Sequence, residues 1–283
     1  MFNLSLAIIF SAMIPVLMKY AHQQGLEEEV ILTFNYLIAI IFSGFFTFFG
    51  IDKYRYFLTH FQTLALLIVI GIIAGIFYFG AFYFYQKAVK ENGVALAIAI
   101  GKMGIVIPML LSLILWKNLP NVFQFWGIVL SLLAIAIINI NPKAMHNVKI
   151  KKSLLYFFII GGLGDFFNKL FEVAVGSFAT DLFLLVVFTA ALIASLPNTL
   201  KLKKLKPKAI AYGLAVGIPN MLTALFFIRA LGEINATVAF PLYSGGAIML
   251  SMIWSLIFFA EKLKFKEGLG ILMILIALVL INL

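Results

Sequence analysis

Two ionisable side chains lie well inside apolar stretches of the sequence and are the first candidates for chemistry. Lys102 follows Gly101 in an otherwise apolar run, and Asp165 lies at a comparable depth within Gly162–Lys169 (GLGDFFNK). A charged group at the centre of a membrane costs several kcal/mol unless it is paired or hydrated. Such a group is therefore a candidate functional residue.

Two hypotheses account for these residues. In the first, Lys102 binds an anionic substrate group and Asp165 is its resting partner or a proton-linked switch. In the second, the charges are structural: Asp165 pairs with Lys102, or with Lys169 one helical turn away, and fixes helix packing. Asn168, which precedes Lys169, belongs to the same candidate group.

Prolines within apolar stretches mark a second set of candidates. Pro219 precedes Asn220, and Pro241 comes shortly before Tyr243 and Ser244. Proline removes a helix hydrogen bond, and the carbonyl oxygen that it frees can accept a bond from water or a substrate. The alternative is an ordinary kink, which membrane helices tolerate.

Four cationic side chains fall near the ends of apolar stretches: Lys19, Lys87, Lys169 and Arg229. Each can extend its charge to the membrane surface. Their repeated placement also predicts a basic lining at both mouths of a cavity, which would attract carboxylates or phosphates. Glu172, three residues after Lys169, is predicted to neutralise it.

The composition requires a membrane protein. Of 283 residues, 64% are hydrophobic and 11% charged, and the mean hydropathy is +1.12. This balance excludes a soluble enzyme. The absence of cysteine from the sequence excludes disulfides and thiolate chemistry, and three histidines in separate predicted loops argue against a metal cluster. Lysines between apolar runs fit membrane topology better than nucleic-acid binding.

Ten apolar runs are long enough to cross a membrane as helices, so we predict an all-α bundle. The predicted spans are 4–22, 30–50, 62–86, 93–116, 121–140, 153–175, 182–199, 208–230, 235–259 and 266–282.

The longest polar connection divides the chain into two sets of five spans. We predict a first repeat over 1–141, a basic linker over 142–152 and a second repeat over 153–283. An offset of 142 places Gly71 and Gly75 on Gly213 and Gly217. These glycines also form small-xxx-small patterns, which predict close helix packing. An odd number of spans per repeat inverts the second copy, which predicts alternating access around a central cavity lined by spans one, three, four, six, eight and nine.

The turn before the last span carries a family resemblance. Glu261, Lys262 and Leu263, followed by Gly270, resemble the acidic turn and glycine of the drug/metabolite transporter superfamily, in its ten-helix EamA-like permease branch. In the first half, Asn118 stands where the acid would be expected. The resemblance implies transport of small metabolites such as amino acids, sugars or amphipathic drugs, often outward.

Membrane orientation is predicted in opposite senses by two arguments. Lysine and arginine are concentrated in the loops that follow odd-numbered spans, which places those loops in the cytoplasm and both termini outside. The family resemblance implies that both termini are cytoplasmic.

We expect a secondary or facilitative transporter of a small polar or amphipathic metabolite, with amino acids and organic anions favoured, in the bacterial cytoplasmic membrane. The alternative is a non-transporting accessory subunit. No enzymatic activity, cofactor or metal is expected. Although Gly162–Asp165 fits the GxGD pattern of intramembrane proteases, Asp52 and Asp181 are not predicted to form the required pair. The expected partners are the substrate and the bilayer, without nucleic acid, and proton or ion coupling stays open.

Overall fold

The structure is a computed structural model. It describes residues 1–92, 97, 101, 103–117, 119–139, 152–202, 204–259 and 265–282. These residues form helices joined by short connections, and no strand occurs among them. The predicted all-α class is therefore confirmed.

Eleven α-helices have bounds within the described residues. They are α1 Phe2–Gln23, α2 Glu28–Phe49, α3 Tyr56–Thr59, α4 Phe61–Asn92, α5 Val106–Trp116, α6 Val122–Asn139, α7 Lys152–Ala174, α8 Thr180–Leu200, α9 Pro207–Glu233, α10 Ala236–Phe259 and α11 Phe265–Asn282.

Seven stretches of the described chain are long and apolar enough to cross a membrane. They correspond to α1, α2, most of α4, α7, α8 with the short 3-10 helix that precedes it, α9 and α10. The other three predicted spans contain shorter apolar helices, at Val106–Trp116, Val122–Ile138 and Gly268–Ala277. The chain is therefore a multi-pass helical membrane protein, and its ten-span topology stays a prediction.

The predicted fourth span contains a break. Gly104 and Ile105 form a turn, and α5 starts at Val106. Pro108 consequently lies in the first turn of α5, where a missing N–H costs little, and not in the interior of a continuous helix.

The connection after α2 is also more ordered than predicted. Residues expected to form a loop form the 3-10 helix Ile51–Arg55 and then α3, and α4 continues past the predicted end of its span. Lys53 and Tyr54 consequently occupy fixed positions near one end of α2.

The chain divides into two compact units. Unit 1 contains Met1–Phe79 and Phe167–Glu233, and unit 2 contains Gly80–Phe166 and Ile234–Leu283. Each unit combines segments from both halves of the sequence.

In unit 1, two glycine pairs allow close helix packing. A Cβ at Gly213 or Gly217 of α9 would lie within 2.7 Å of backbone oxygens of α2. A Cβ at Gly71 would meet Val186, and one at Gly75 would lie 2.3 Å from the Val187 carbonyl oxygen of α8. The predicted packing role of these small-xxx-small patterns is confirmed.

In unit 2, α6 packs against α11 and α10 packs against α5 and α6. A Cβ at Gly270 would lie 2.3 Å from Ile138. On α7, a Cβ at Gly162 would lie 2.6 Å from the Gly104 carbonyl oxygen. The first glycine of the GxGD sequence therefore allows α7 to approach the break before α5.

A salt bridge at the start of α2 predicts an acid-sensitive contribution to stability. The Lys206 Nζ lies 2.8 Å from Glu27 Oε1, and its hydrogen bond lowers the pKa of Glu27. A carboxyl with a lowered folded pKa stabilises the fold above its unfolded pKa and loses that contribution as the pH falls through the folded value. Glu27→Gln should therefore lower the Tm at about pH 7 but not at about pH 3.

Thermal unfolding in detergent across this pH range would test the prediction. The Glu27→Gln effect should shrink in high salt, because both side chains are partly exposed. An equal loss of Tm at every pH would contradict the electrostatic explanation.

Candidate functional site

Asp181 lies at the centre of a group of polar side chains in unit 1. It occupies the first turn of α8, and its side chain is only 3% exposed. Lys53 Nζ donates a hydrogen bond to Oδ2, and the Tyr54 hydroxyl lies 3.3 Å from the same oxygen. Arg229 Nη2 of α9 donates to Oδ1 at 3.1 Å. We call Lys53, Tyr54, Asp181 and Arg229 the Asp181 cluster.

The electrostatics of the Asp181 cluster are those of one carboxylate shared by two cations. Partial burial disfavours the charge of Lys53, but the hydrogen bond and negative charge of Asp181 outweigh this effect and raise the pKa of Lys53. Burial, together with the charge of Asp181, raises the pKa of Tyr54. Lys53 therefore stays cationic and Tyr54 neutral near pH 7, so the cluster carries a net positive charge.

Lys169 forms a second ion pair near the end of α7. Its Nζ donates to Glu172 and, at 2.7 Å, to the Leu231 carbonyl oxygen of α9. The two side chains are 8% and 15% exposed. The predicted role of Glu172 as the neutralising neighbour is confirmed, and Lys169 also satisfies a carbonyl in the last turn of α9.

Asn168 contacts Tyr78 of α4. The Asn168 Nδ2 lies 2.8 Å from the Tyr78 hydroxyl, and that hydroxyl lies 3.1 Å from Oδ1. Asn168 is almost fully buried. Since a buried amide needs hydrogen-bond partners, this contact allows Asn168 to lie inside an apolar helix layer.

Asn220 is the middle residue of α9 and follows the buried Pro219. Its Nδ2 donates to Asn35 Oδ1 of α2 at 3.1 Å, and Asn35 is 6% exposed. Two amides thus meet halfway along a membrane-spanning helix, beside a proline that frees a carbonyl oxygen.

The candidates in unit 1 lie at two levels. Asn220 and Leu231 are separated by about 16 Å along α9, at about 1.5 Å per residue. The Asn35–Asn220 pair therefore lies at mid-helix, whereas Lys169 and the Asp181 cluster lie near the helix end. A small metabolite cannot contact both levels at once.

The remaining predicted site residues are distributed over both units. Lys102 lies outside the described residues, two positions before the turn at Gly104. Lys19 is half-buried, four residues before the end of α1. In unit 2, Asp165 and Tyr243 are half-buried and Ser244 is buried. Their roles stay predictions. The described part of the chain contains no group of three or more potential metal ligands.

A comparison with known families identifies the family to which the chain belongs. The sequence model of the EamA-like transporter family matches residues 1–140 and 152–283. The chain belongs to the EamA-like transporter family. The resemblance inferred from Glu261 to Gly270 is therefore confirmed, and this EamA-like protein is a membrane transporter or permease.

Two individual proteins resemble this EamA-like chain over nearly its whole length. A Haemophilus influenzae protein, described as uncharacterized, is 24% identical over 286 residues, which cover 98% of this chain and 96% of that protein. A crystal structure with 13% identity aligns with a TM-score of 0.70, covering 99% of this chain and 94% of that one. The structural likeness shows the fold alone.

Sequence reasoning missed three polar residues of the EamA-like fold: Asn35 and Asp181, which are buried, and Tyr78, which is half-buried. Asp181 appeared at the edge of a span, where a carboxylate usually faces water. Its cationic partners are 128 and 48 residues away in sequence. Asn35 was detectable as an amide inside an apolar run, whereas Tyr78 was one of several aromatic side chains in its span.

Proposed function

We propose that this EamA-like transporter moves a small polar or amphipathic metabolite across the bacterial cytoplasmic membrane by alternating access, with amino acids and organic anions favoured. Family membership supports transport over an accessory-subunit role. The Haemophilus influenzae relative supports a bacterial membrane.

Equivalent helix contacts within unit 1 support the inverted repeat on which alternating access would depend. Gly71 and Gly75 of α4 pack in parallel on α8, while Gly213 and Gly217 of α9 pack in parallel on α2. The offset of 142 relates the two glycine pairs. The partner helices, α2 and α8, run antiparallel, since Thr33 contacts Ser195 and Gly44 contacts Leu185. Inverted copies would produce this arrangement.

The observation that carries the proposal is the Asn35–Asn220 hydrogen bond at the midpoint of α9. Each amide has more donors and acceptors than this bond uses. A polar substrate could bond to the remaining groups, with the carbonyl freed by Pro219 as a further acceptor. Transporters place such sites near the membrane midplane, beside irregular helix backbone.

The preference for an anion rests on the cationic side chains. The Asp181 cluster carries a net positive charge at one end of unit 1, which would raise the local concentration of anions. In unit 2, Lys102 precedes the helix break at Gly104, and Asp165 lies on the adjoining α7. We propose these two residues, with Tyr243 and Ser244, as candidate substrate-binding residues of unit 2, and Lys19 as a further candidate in unit 1.

Transport by purified protein in liposomes tests this function. Uptake of labelled amino acids, dicarboxylates and neutral sugars should identify at least one anionic or zwitterionic substrate. Asn220→Ala and Asn35→Ala should each reduce kcat/KM roughly tenfold, because each removes a buried substrate hydrogen bond.

The matched control is Ser43→Ala. Ser43 is buried on the same helix as Asn35, but its hydroxyl bonds to the Ala39 carbonyl of its own helix. This variant should transport at the wild-type rate. Wild-type kinetics in both asparagine variants would rule out the mid-helix site, and uptake of neutral substrates alone would rule out the anion preference.

A further inference from the structure

The Asp181 cluster has an asymmetry that distinguishes its two cations. Lys53 and Tyr54 both contact Oδ2, whereas Arg229 contacts Oδ1. If Arg229 moved away, the carboxylate would keep a cation and a hydroxyl on its other oxygen. Asp181 could thus stay buried and neutralised without Arg229.

Arg229 is also a cation that a ligand can reach. Its side chain is 38% exposed, similar to Lys53 at 35% and unlike Lys169 at 8%, so the geometry of its donors is what distinguishes it from Lys53. Its Nη2 contacts Asp181 through one bond, and a guanidinium has five N–H donors in a fork that matches a carboxylate. The remaining donors suit a bidentate contact.

Lys169 differs from Arg229 in its low exposure and in what its carboxylate partner would lose if it moved. Its ammonium bonds to the Leu231 carbonyl and to Glu172. Among the described residues, Lys169 is the cation paired with Glu172. Withdrawing it toward a substrate would leave a buried carboxylate without a counter-charge, which is costly.

We propose that Arg229 binds the carboxylate of the transported substrate at the helix end, in a step separate from its contact with Asn35 and Asn220 at mid-helix. The carboxylate displaces Asp181 from Arg229, while Lys53 holds Asp181 in place. Asp181 then pairs with Arg229 only until the substrate binds. Lys53 is a positioning residue that does not contact the substrate. This inference rests on the proposed transport of anions and adds the residue that selects them.

The role of Lys53 is tested by a single and a double variant. In Lys53→Gln, Arg229 is the one cation of the cluster left to neutralise Asp181, so a substrate must compete with a stronger internal pair. Carboxylate binding should weaken roughly tenfold, although Lys53 makes no substrate contact. Adding Asp181→Asn removes the competitor, so Lys53→Gln/Asp181→Asn should bind at least as tightly as wild type.

The experiment measures the Kd of purified protein in lipid nanodiscs. The probes are acetate, succinate and L-alanine, each paired with its amide: acetamide, succinamide and L-alaninamide. Wild type should prefer a carboxylate over its amide. Arg229→Gln should weaken that carboxylate roughly tenfold or more and leave the amide unchanged, while Arg229→Lys should retain part of the affinity.

The outcomes separate this inference from the proposed function. A wild-type protein that binds none of the carboxylates overturns the anion preference and the Arg229 site together. Carboxylate binding that Arg229→Gln leaves intact overturns the Arg229 site alone. A double variant that binds as weakly as Lys53→Gln, with a wild-type Tm, overturns the displacement of Asp181, since a purely structural cluster would give that result.

Discussion

Lys169→Met should destabilise the protein more than the double variant Lys169→Met/Glu172→Gln. Removing Lys169 alone leaves the mostly buried Glu172 carboxylate without its cation and the Leu231 carbonyl without its donor. Breaking a buried ion pair from one side costs about 3–5 kcal/mol. Replacing both partners removes the isolated charge, so the double variant should recover most of the loss.

Thermal unfolding in detergent would measure this difference. The single variant should lose roughly 5–15 °C of Tm. Lys152→Met is the matched control, because Lys152 is exposed at the start of the same helix. The ion-pair explanation fails if the double variant is as unstable as the single one, or if Lys169→Met matches the control.

Gly75→Ala should disrupt the packing of α4 on α8. The added methyl would lie 2.3 Å from the Val187 carbonyl oxygen and 2.7 Å from the Ala190 Cβ. Backbone cannot move aside as a flexible side chain can, so the helices must separate. We expect a loss of about 2–3 kcal/mol, at the upper end of typical overpacking.

Gly44→Ala provides the comparison. Gly44 lies in α2, and its added methyl would meet Leu185 at an ordinary 3.7 Å. The Tm of Gly44→Ala should stay near wild type, whereas that of Gly75→Ala should fall by roughly 5 °C or more. Gly217→Ala should cause a similar fall, because its added methyl would lie 2.5 Å from the Asn35 carbonyl oxygen. Equal Tm values in Gly44→Ala and Gly75→Ala would show that the close approach is not needed.

Much of the helix layout was readable from the sequence because long apolar runs can satisfy their backbone in lipid only as helices or barrels. Helix ends were less accurate. The span predicted to end at residue 86 continues as helix to Asn92, since hydropathy reports the preferred surroundings of side chains and not where backbone hydrogen bonding stops. The turn at Gly104 was missed for the same reason.

The candidate site was only partly predictable because its polar pairs join residues distant in the chain. Glu172 could be assigned to Lys169, since three residues along a helix place two side chains on one face. No local rule connects Asn35 with Asn220 or Lys53 with Asp181. Those contacts depend on which helices pack together.

The close packing of α9 on α2 has a consequence for synthesis. Its neighbours α1 and α2 leave the ribosome first, and the residues between Phe49 and Glu233 take roughly 10–40 s to translate at 5–20 residues per second. During that interval Asn35 is in the bilayer without Asn220, the amide that it meets in the finished protein. Nascent chains stalled before α9 should therefore expose this surface to insertion factors or proteases, which would make early quality control sensitive to elongation rate.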